Sequence, residues 1–156
     1  MIQRIQSIYL FLAATAIFLI AAFPISSYYG DMHTFNLTIL KIENFVPDAT
    51  SIFNPMFTFP LAFFVGIIGF ITTFTIFKYK NRKLQLKLVK ISVLLNIFLI
   101  IGVFFVYSKI ISNSIDVVEE YKTSAFLPLV SLVLLVLAYK GIKKDEDLVR
   151  STDRLR

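Results

Sequence analysis

Side chains able to do chemistry are few in this 156-residue chain. It has a single His, His33, and no Cys. Thiolate catalysis, disulfide exchange and Cys metal sites are therefore excluded, and one imidazole cannot supply bis-His haem ligation. Asp31, His33, Glu43 and Asp48 are spread over 18 residues, a spacing that forms no acid/base pair or metal-ligand set. Inside the apolar blocks described next, no ionisable side chain other than Tyr is found. Proton relays, ion-coupled transport and intramembrane proteolysis generally need such groups. Asn96 is the one amide there, and it seeks a cross-helix hydrogen bond worth ~1 kcal/mol. With Thr72, Thr73 and Thr75 it is the only visible handle for a neutral or lipidic solute. No enzyme activity, cofactor or metal is expected.

The elements that must position these groups follow from charge segregation. The chain is 57% apolar and 17% charged, with a mean hydropathy of +0.77. Four blocks, 8–23, 56–77, 91–108 and 123–139, contain no Asp, Glu, Lys or Arg. A bilayer core needs roughly 20 apolar helical residues. The blocks show no charged face, so they do not read as soluble amphipathic helices. The expected fold is an all-α integral membrane protein with four transmembrane helices, at about 5–23, 56–77, 91–108 and 123–139. Arg4 and the triplet Ala14-Thr15-Ala16 resemble a cleaved signal peptide, but the triplet lies inside the apolar run, so the segment is read as the first span.

Charge sets the expected orientation. The N-terminus, the segment 78–90 and the segment 140–156 hold 13 Lys and Arg, against 3 in the other two connections. The positive-inside rule then places both termini and 78–90 in the cytoplasm. The seven Tyr fall near span ends, where an apolar ring with a polar tip is favoured.

Between the spans, 24–54 is the one sizeable outer loop. The alternation T-F-N-L-T-I at 34–39, after Gly30-Asp31, suggests a small extracytoplasmic β-hairpin between helices 1 and 2. Asn36-Leu37-Thr38 matches a glycosylation sequon but reads as ordinary strand. Asn54-Pro55 looks like an N-cap followed by a first-turn Pro. The basic cytoplasmic loop 78–90 carries Lys78, Lys80, Arg82, Lys83, Lys87 and Lys90, whose charges attract anionic lipid headgroups. Contact with nucleic acid or a ribosome would use the same electrostatics. Ala62, Gly66, Gly69 and Thr73 repeat at i, i+4, i+7, i+11, a small-residue stripe suited to close helix packing.

The tail 140–156 mixes its charges. Lys143, Lys144, Asp145, Glu146, Asp147, Leu148, Val149, Arg150, Ser151, Thr152, Asp153, Arg154, Leu155 and Arg156 form its end. Glu146 with Arg150, and Asp153 with Arg156, have favourable helical spacing. The tail reads either as a solvated extension of span four or as a docking peptide for a cytoplasmic protein. Together with the opening Met1-Ile2-Gln3-Arg4-Ile5-Gln6, this ending resembles a family of small bacterial four-span membrane proteins classed as a domain of unknown function. The resemblance implies four helices and a cytoplasmic (inner) membrane location. It implies no activity and transfers no site.

Two functions are compatible with these observations. The first is a non-enzymatic accessory or scaffold subunit of a larger membrane assembly, for secretion, translocation or envelope biogenesis, with a cytoplasmic docking tail. The second is a small transporter or channel for a neutral or lipidic solute.

Overall fold

The computed structural model describes residues 3–30, 34–45 and 53–153. Four helical stretches in it are long and apolar enough to cross a membrane: Ile5–Ala22, Met56–Phe77, Arg82–Ser114 and Thr123–Val149. The chain is accordingly a multi-pass membrane protein. Helix α1 is Gln3–Leu19, α2 Phe59–Phe77, α3 Arg82–Ile101, α4 Ser108–Ser114 and α5 Leu127–Asp153. A π-helical segment, Gly102–Tyr107, joins α3 to α4 without a break. Helix α1 packs on α5 and α2, and α3 packs on α5 and α2.

Burial periodicity explains these contacts. In α2 the buried face is Leu61, Val65, Ile68, Thr72 and Thr75, while Phe59, Phe63, Phe70, Phe74 and Phe77 point outward. An outward Phe is stable only where the surroundings are apolar, as in lipid. In the third span Leu99, Val103, Tyr107 and Ile111 are buried at strict intervals of four. In an α-helix each such step overshoots a turn by about 40°. The wider π turn absorbs the overshoot and keeps these side chains on one seam.

One end of the bundle carries a four-stranded antiparallel sheet of order β3-β2-β1-β4. Strands β1 (Ser26–Tyr29), β2 (Thr34–Leu37) and β3 (Ile42–Asn44) come from the loop after α1, and β4 (Val118–Tyr121) comes from the loop before α5. Ser26 faces Leu37 on one side and Tyr121 on the other. The expected hairpin is therefore only part of the structure, and the all-α expectation needs this small sheet added. The physical reason is that the three short strands of this loop leave one edge of β1 unpaired; β4 supplies the partner for that edge. Its alternation in burial is confined to four residues, too short to stand out from a linker. Tyr28, Phe35, Phe53, Phe57 and Tyr107 seat the sheet on the helices through successive ring contacts of 5.0, 6.2, 4.7 and 4.9 Å.

The opposite end is basic. Here the segment expected as a loop, 78–90, is helical from Arg82 onward, and only the turn at 78–81 is non-helical. Asn81 caps α3 by accepting from the Leu84 N–H at 3.1 Å. Helix α5 likewise continues past the expected span to Asp153. Charged residues at 82–90 and 140–153 thus extend two helices beyond the apolar slab.

Candidate functional site

The basic end is closed by a buried polar lock. Gln6 of α1 donates through Nε2 to Asp145 Oδ2 at 2.6 Å, and Arg82 of α3 donates to the Asp145 carbonyl at 3.2 Å. Gln6 and Asp145 are both buried, as is Ile142 one turn earlier. A Cβ on Gly141 would lie 2.9 Å from Gln6 Cγ, so glycine there lets α1 and α5 approach. The first turn of α1 and the C-terminal part of α5 therefore meet at this lock. Reading the tail as uniformly solvated is corrected to this extent: its first turns belong to the core, because Ile142 and Asp145 fall on the α5 face that packs on α1.

Around the lock and beyond it α5 stays helical to Asp153. Lys143, Lys144, Asp147 and Leu148, with Lys140, line a shallow depression of about 410 Å³. Glu146 and Val149 face the α2–α3 turn instead. Ser151 Oγ donates to the Leu148 carbonyl at 2.8 Å. Arg150, Thr152 and Asp153 lie within the helix, and Arg154, Leu155 and Arg156 fall outside the described residues.

The six basic residues of 78–90 divide into groups. Lys80, Arg82 and Lys83 line a cleft. Lys78 Nζ sits 4.8 Å from the centre of the Phe74 ring, and Lys90 Nζ 5.6 Å from that of Tyr139. Lys87 is exposed.

The small-residue stripe is not a shared seam. Gly66 is exposed with nothing near its Cβ position, Ala62 and Thr73 are half-buried, and only Gly69 is closely covered, by the Phe18 ring. The packed seam of α2 runs one position earlier. Larger side chains, Leu61, Val65 and Ile68, fill it.

Buried polar groups form a waist between two apolar clusters. One cluster, under the sheet, includes Ile17, Ile68 and Leu99. The other, toward the basic end, includes Leu10, Val89 and Leu135. Between them Thr72 Oγ1 donates to Ser92 Oγ at 3.4 Å, and Ser131 Oγ donates to the Ala13 carbonyl at 3.2 Å. Asn96 is 0% exposed, and neither atom of its carboxamide finds a partner among the described residues. It does not make the cross-helix bond expected of it. Nor is it the sole buried amide: Gln85 Nε2 donates to the Thr75 carbonyl at 3.3 Å, and Gln6 is buried in the lock. Both lie outside the uncharged blocks, beside charged residues that mark a polar surface.

At the sheet end, Glu119 accepts from the Tyr28 hydroxyl at 2.6 Å and from Ser108. This carboxylate ties β4 to β1 and to α4, and nothing in its sequence surroundings singled it out. Burial first, then the Glu119 bond, push the Tyr28 phenol far above its usual range. Burial also raises Tyr121, while the Lys122 ammonium holds Glu120 below the usual carboxylate range. Of the outer residues weighed for acid/base or metal chemistry, Asp31, His33 and Asp48 lie outside the described residues, and Glu43 pairs with Lys41 at 2.9 Å. Among the described residues no three His, Asp or Glu side chains come together as a metal site.

A family model described as "Domain of unknown function (DUF4293)" matches residues 2–155. No curated protein and no solved structure matches the chain.

Proposed function

The chain belongs to the DUF4293 family, and from that premise we propose that it is a non-enzymatic accessory or scaffold subunit of a larger assembly in a bacterial cytoplasmic (inner) membrane. In this reading both termini and the basic end face the cytoplasm, by the positive-inside rule. The observation that carries it is the locked extension of α5. A tail needed only for solubility has no use for a core anchor, yet Gln6 and Arg82 hold Asp145 in place. The anchor presents Lys143, Lys144, Asp147 and Leu148 on one helical face, and ordering entropy is then already met before a partner binds. A secretion, translocation or envelope-biogenesis machine suits such a subunit.

The test is copurification of tagged full-length protein after gentle solubilisation, beside a variant ending at Asp147. That truncation keeps the lock intact. A partner retained by the full chain and lost by the truncation supports docking through the tail. Full-length protein migrating alone ends the proposal. A periplasm-dependent reporter fused after Arg156 should stay inactive; activity there reverses the orientation.

One observation favours a second reading, a transporter or channel for a neutral or lipidic solute. The unpartnered carboxamide of Asn96, one helical turn from the buried Ser92, is the feature such a protein would use. In that case Asn96→Leu abolishes flux while the protein still folds and inserts.

A further inference from the structure

The turn between α2 and α3 faces the far part of α5 across an open cleft of about 590 Å³. Lys80, Asn81, Arg82 and Lys83 line one side, with Glu146 and Val149 opposite. Three cations thus meet one carboxylate. Among the described residues the ion pairs are Lys41–Glu43 and Lys122–Glu120, so none involves the charges of the cleft. Like charges gathered in a concave surface repel one another and raise the local concentration of anions. Arg82 is also oriented, because one of its N–H groups is fixed on the Asp145 carbonyl. A guanidinium has five N–H donors, which leaves a planar fork for an oxyanion. The end of α3 is already closed by the Asn81 side chain; the recruiting groups are the three cationic side chains.

The surface beside the cleft is apolar and outward-facing. Phe70, Phe74 and Phe77 occupy one side of α2 and lead to Tyr79 at the cleft wall; Phe77 is 72% and Tyr79 51% exposed. Lys78 lies over the Phe74 ring on the same side. A soluble anion gains nothing from this track, whereas an anion attached to acyl chains does.

We propose that the cleft is a binding site for an anionic phospholipid. Lys80, Arg82 and Lys83 hold its phosphate, and its acyl chains lie along the Phe70–Phe74–Phe77 side of α2. Glu146 suits a headgroup with one phosphodiester and a hydroxyl to donate, such as phosphatidylglycerol, and disfavours a second phosphate. This goes beyond the scaffold proposal and does not depend on it. It treats one lipid as a ligand and not merely as solvent.

The experiment compares full-length protein with K80Q/K83Q and K87Q/K90Q in phosphatidylcholine nanodiscs containing increasing phosphatidylglycerol, with bound lipid read by native mass spectrometry. Both double variants remove the same charge from the basic end, but only the first removes it from the cleft. Equal thermal midpoints establish that the variants are folded. The expected result is a loss of phosphatidylglycerol retention of about 10–30-fold in K80Q/K83Q, from roughly three- to fivefold for each cation that reaches the phosphate, with a change under about threefold in K87Q/K90Q, whose side chains lie outside the cleft. Equal losses in the two variants overturn the site in favour of diffuse surface charge. Displacement of the lipid by excess inorganic phosphate also overturns it, because the occupant is then a soluble anion.

Discussion

Replacing Gln6 with Leu removes one donor and little volume. In the folded protein that donor lies 2.6 Å from Asp145 Oδ2, and both side chains are buried. A hydrogen bond to a charged group contributes about 1.5–3 kcal/mol net, and a stranded buried acceptor loses comparable solvation. Gln6→Leu should therefore destabilise the protein by about 1.5–3 kcal/mol, lowering the thermal midpoint by about 3–12 °C for a chain of this length. Asp145→Leu should cost a similar amount by stranding the Gln6 amide. The double variant leaves neither group stranded, so its loss should fall short of the sum by at least about 1 kcal/mol. Asp147→Leu, on the exposed side of the same helix, should change stability by less than about 0.5 kcal/mol. Unfolding in mixed micelles followed by far-ultraviolet circular dichroism supplies all four values. If the Gln6 and Asp145 effects add to within about 0.5 kcal/mol, the two residues do not form a unit, and the claim that the lock anchors the α5 extension is refuted.

Three other outcomes are expected. Asn96→Leu should stabilise the protein by about 1–3 kcal/mol, since it removes a buried carboxamide that has no partner among the described residues; destabilisation in the same unfolding assay would mean that the amide is satisfied in the native bundle. Gly66→Ala should be neutral or stabilising by up to about 1 kcal/mol through helix propensity, whereas Gly69→Ala meets the Phe18 ring at 2.6 Å and should cost about 1 kcal/mol or more, with Phe18→Leu recovering the loss. The Tyr28 phenol has a folded-state pKa raised above its unfolded value of about 10, so its contribution to stability is full below that pH and is lost as pH rises beyond it; phenolate absorbance should show a tyrosine fraction that ionises only on unfolding, and that fraction should vanish in Tyr28→Phe.

The four spans could be read from the sequence because lipid demands uninterrupted apolar stretches, and Asp, Glu, Lys and Arg mark their limits sharply. The same rule hid where the helices end. Arg82 and Lys83 continue α3, and Lys143 to Asp153 continue α5, because hydrogen bonding sustains a helix beyond the bilayer regardless of charge. Gln6 was part of the recognised N-terminal motif, but its partner 139 residues away leaves no local trace. Strand β4 escaped for a similar reason: Glu119 and Tyr121 have meaning only beside Ser26 and Tyr28. The small-residue stripe shows the reverse failure. Its periodicity is real, yet Leu61, Val65 and Ile68 fill the packed seam one position away, and Gly66 is left on the outer surface.

The pairing of β1 with β4 also bears on the order of assembly. Strand β1 leaves the first span, but β4 emerges only after the third, about ninety residues later in the chain. Until α3 and α4 have been made, the sheet has only its three short strands β3, β2 and β1, and one edge of β1 stays unpaired. The sheet is therefore completed late, in a closure whose long sequence separation makes it intrinsically slow. Once formed, it joins the loop after α1 to the loop before α5 and reports that the third span is in place. Protease resistance of residues 26–45 during synthesis would then time insertion of the third span directly.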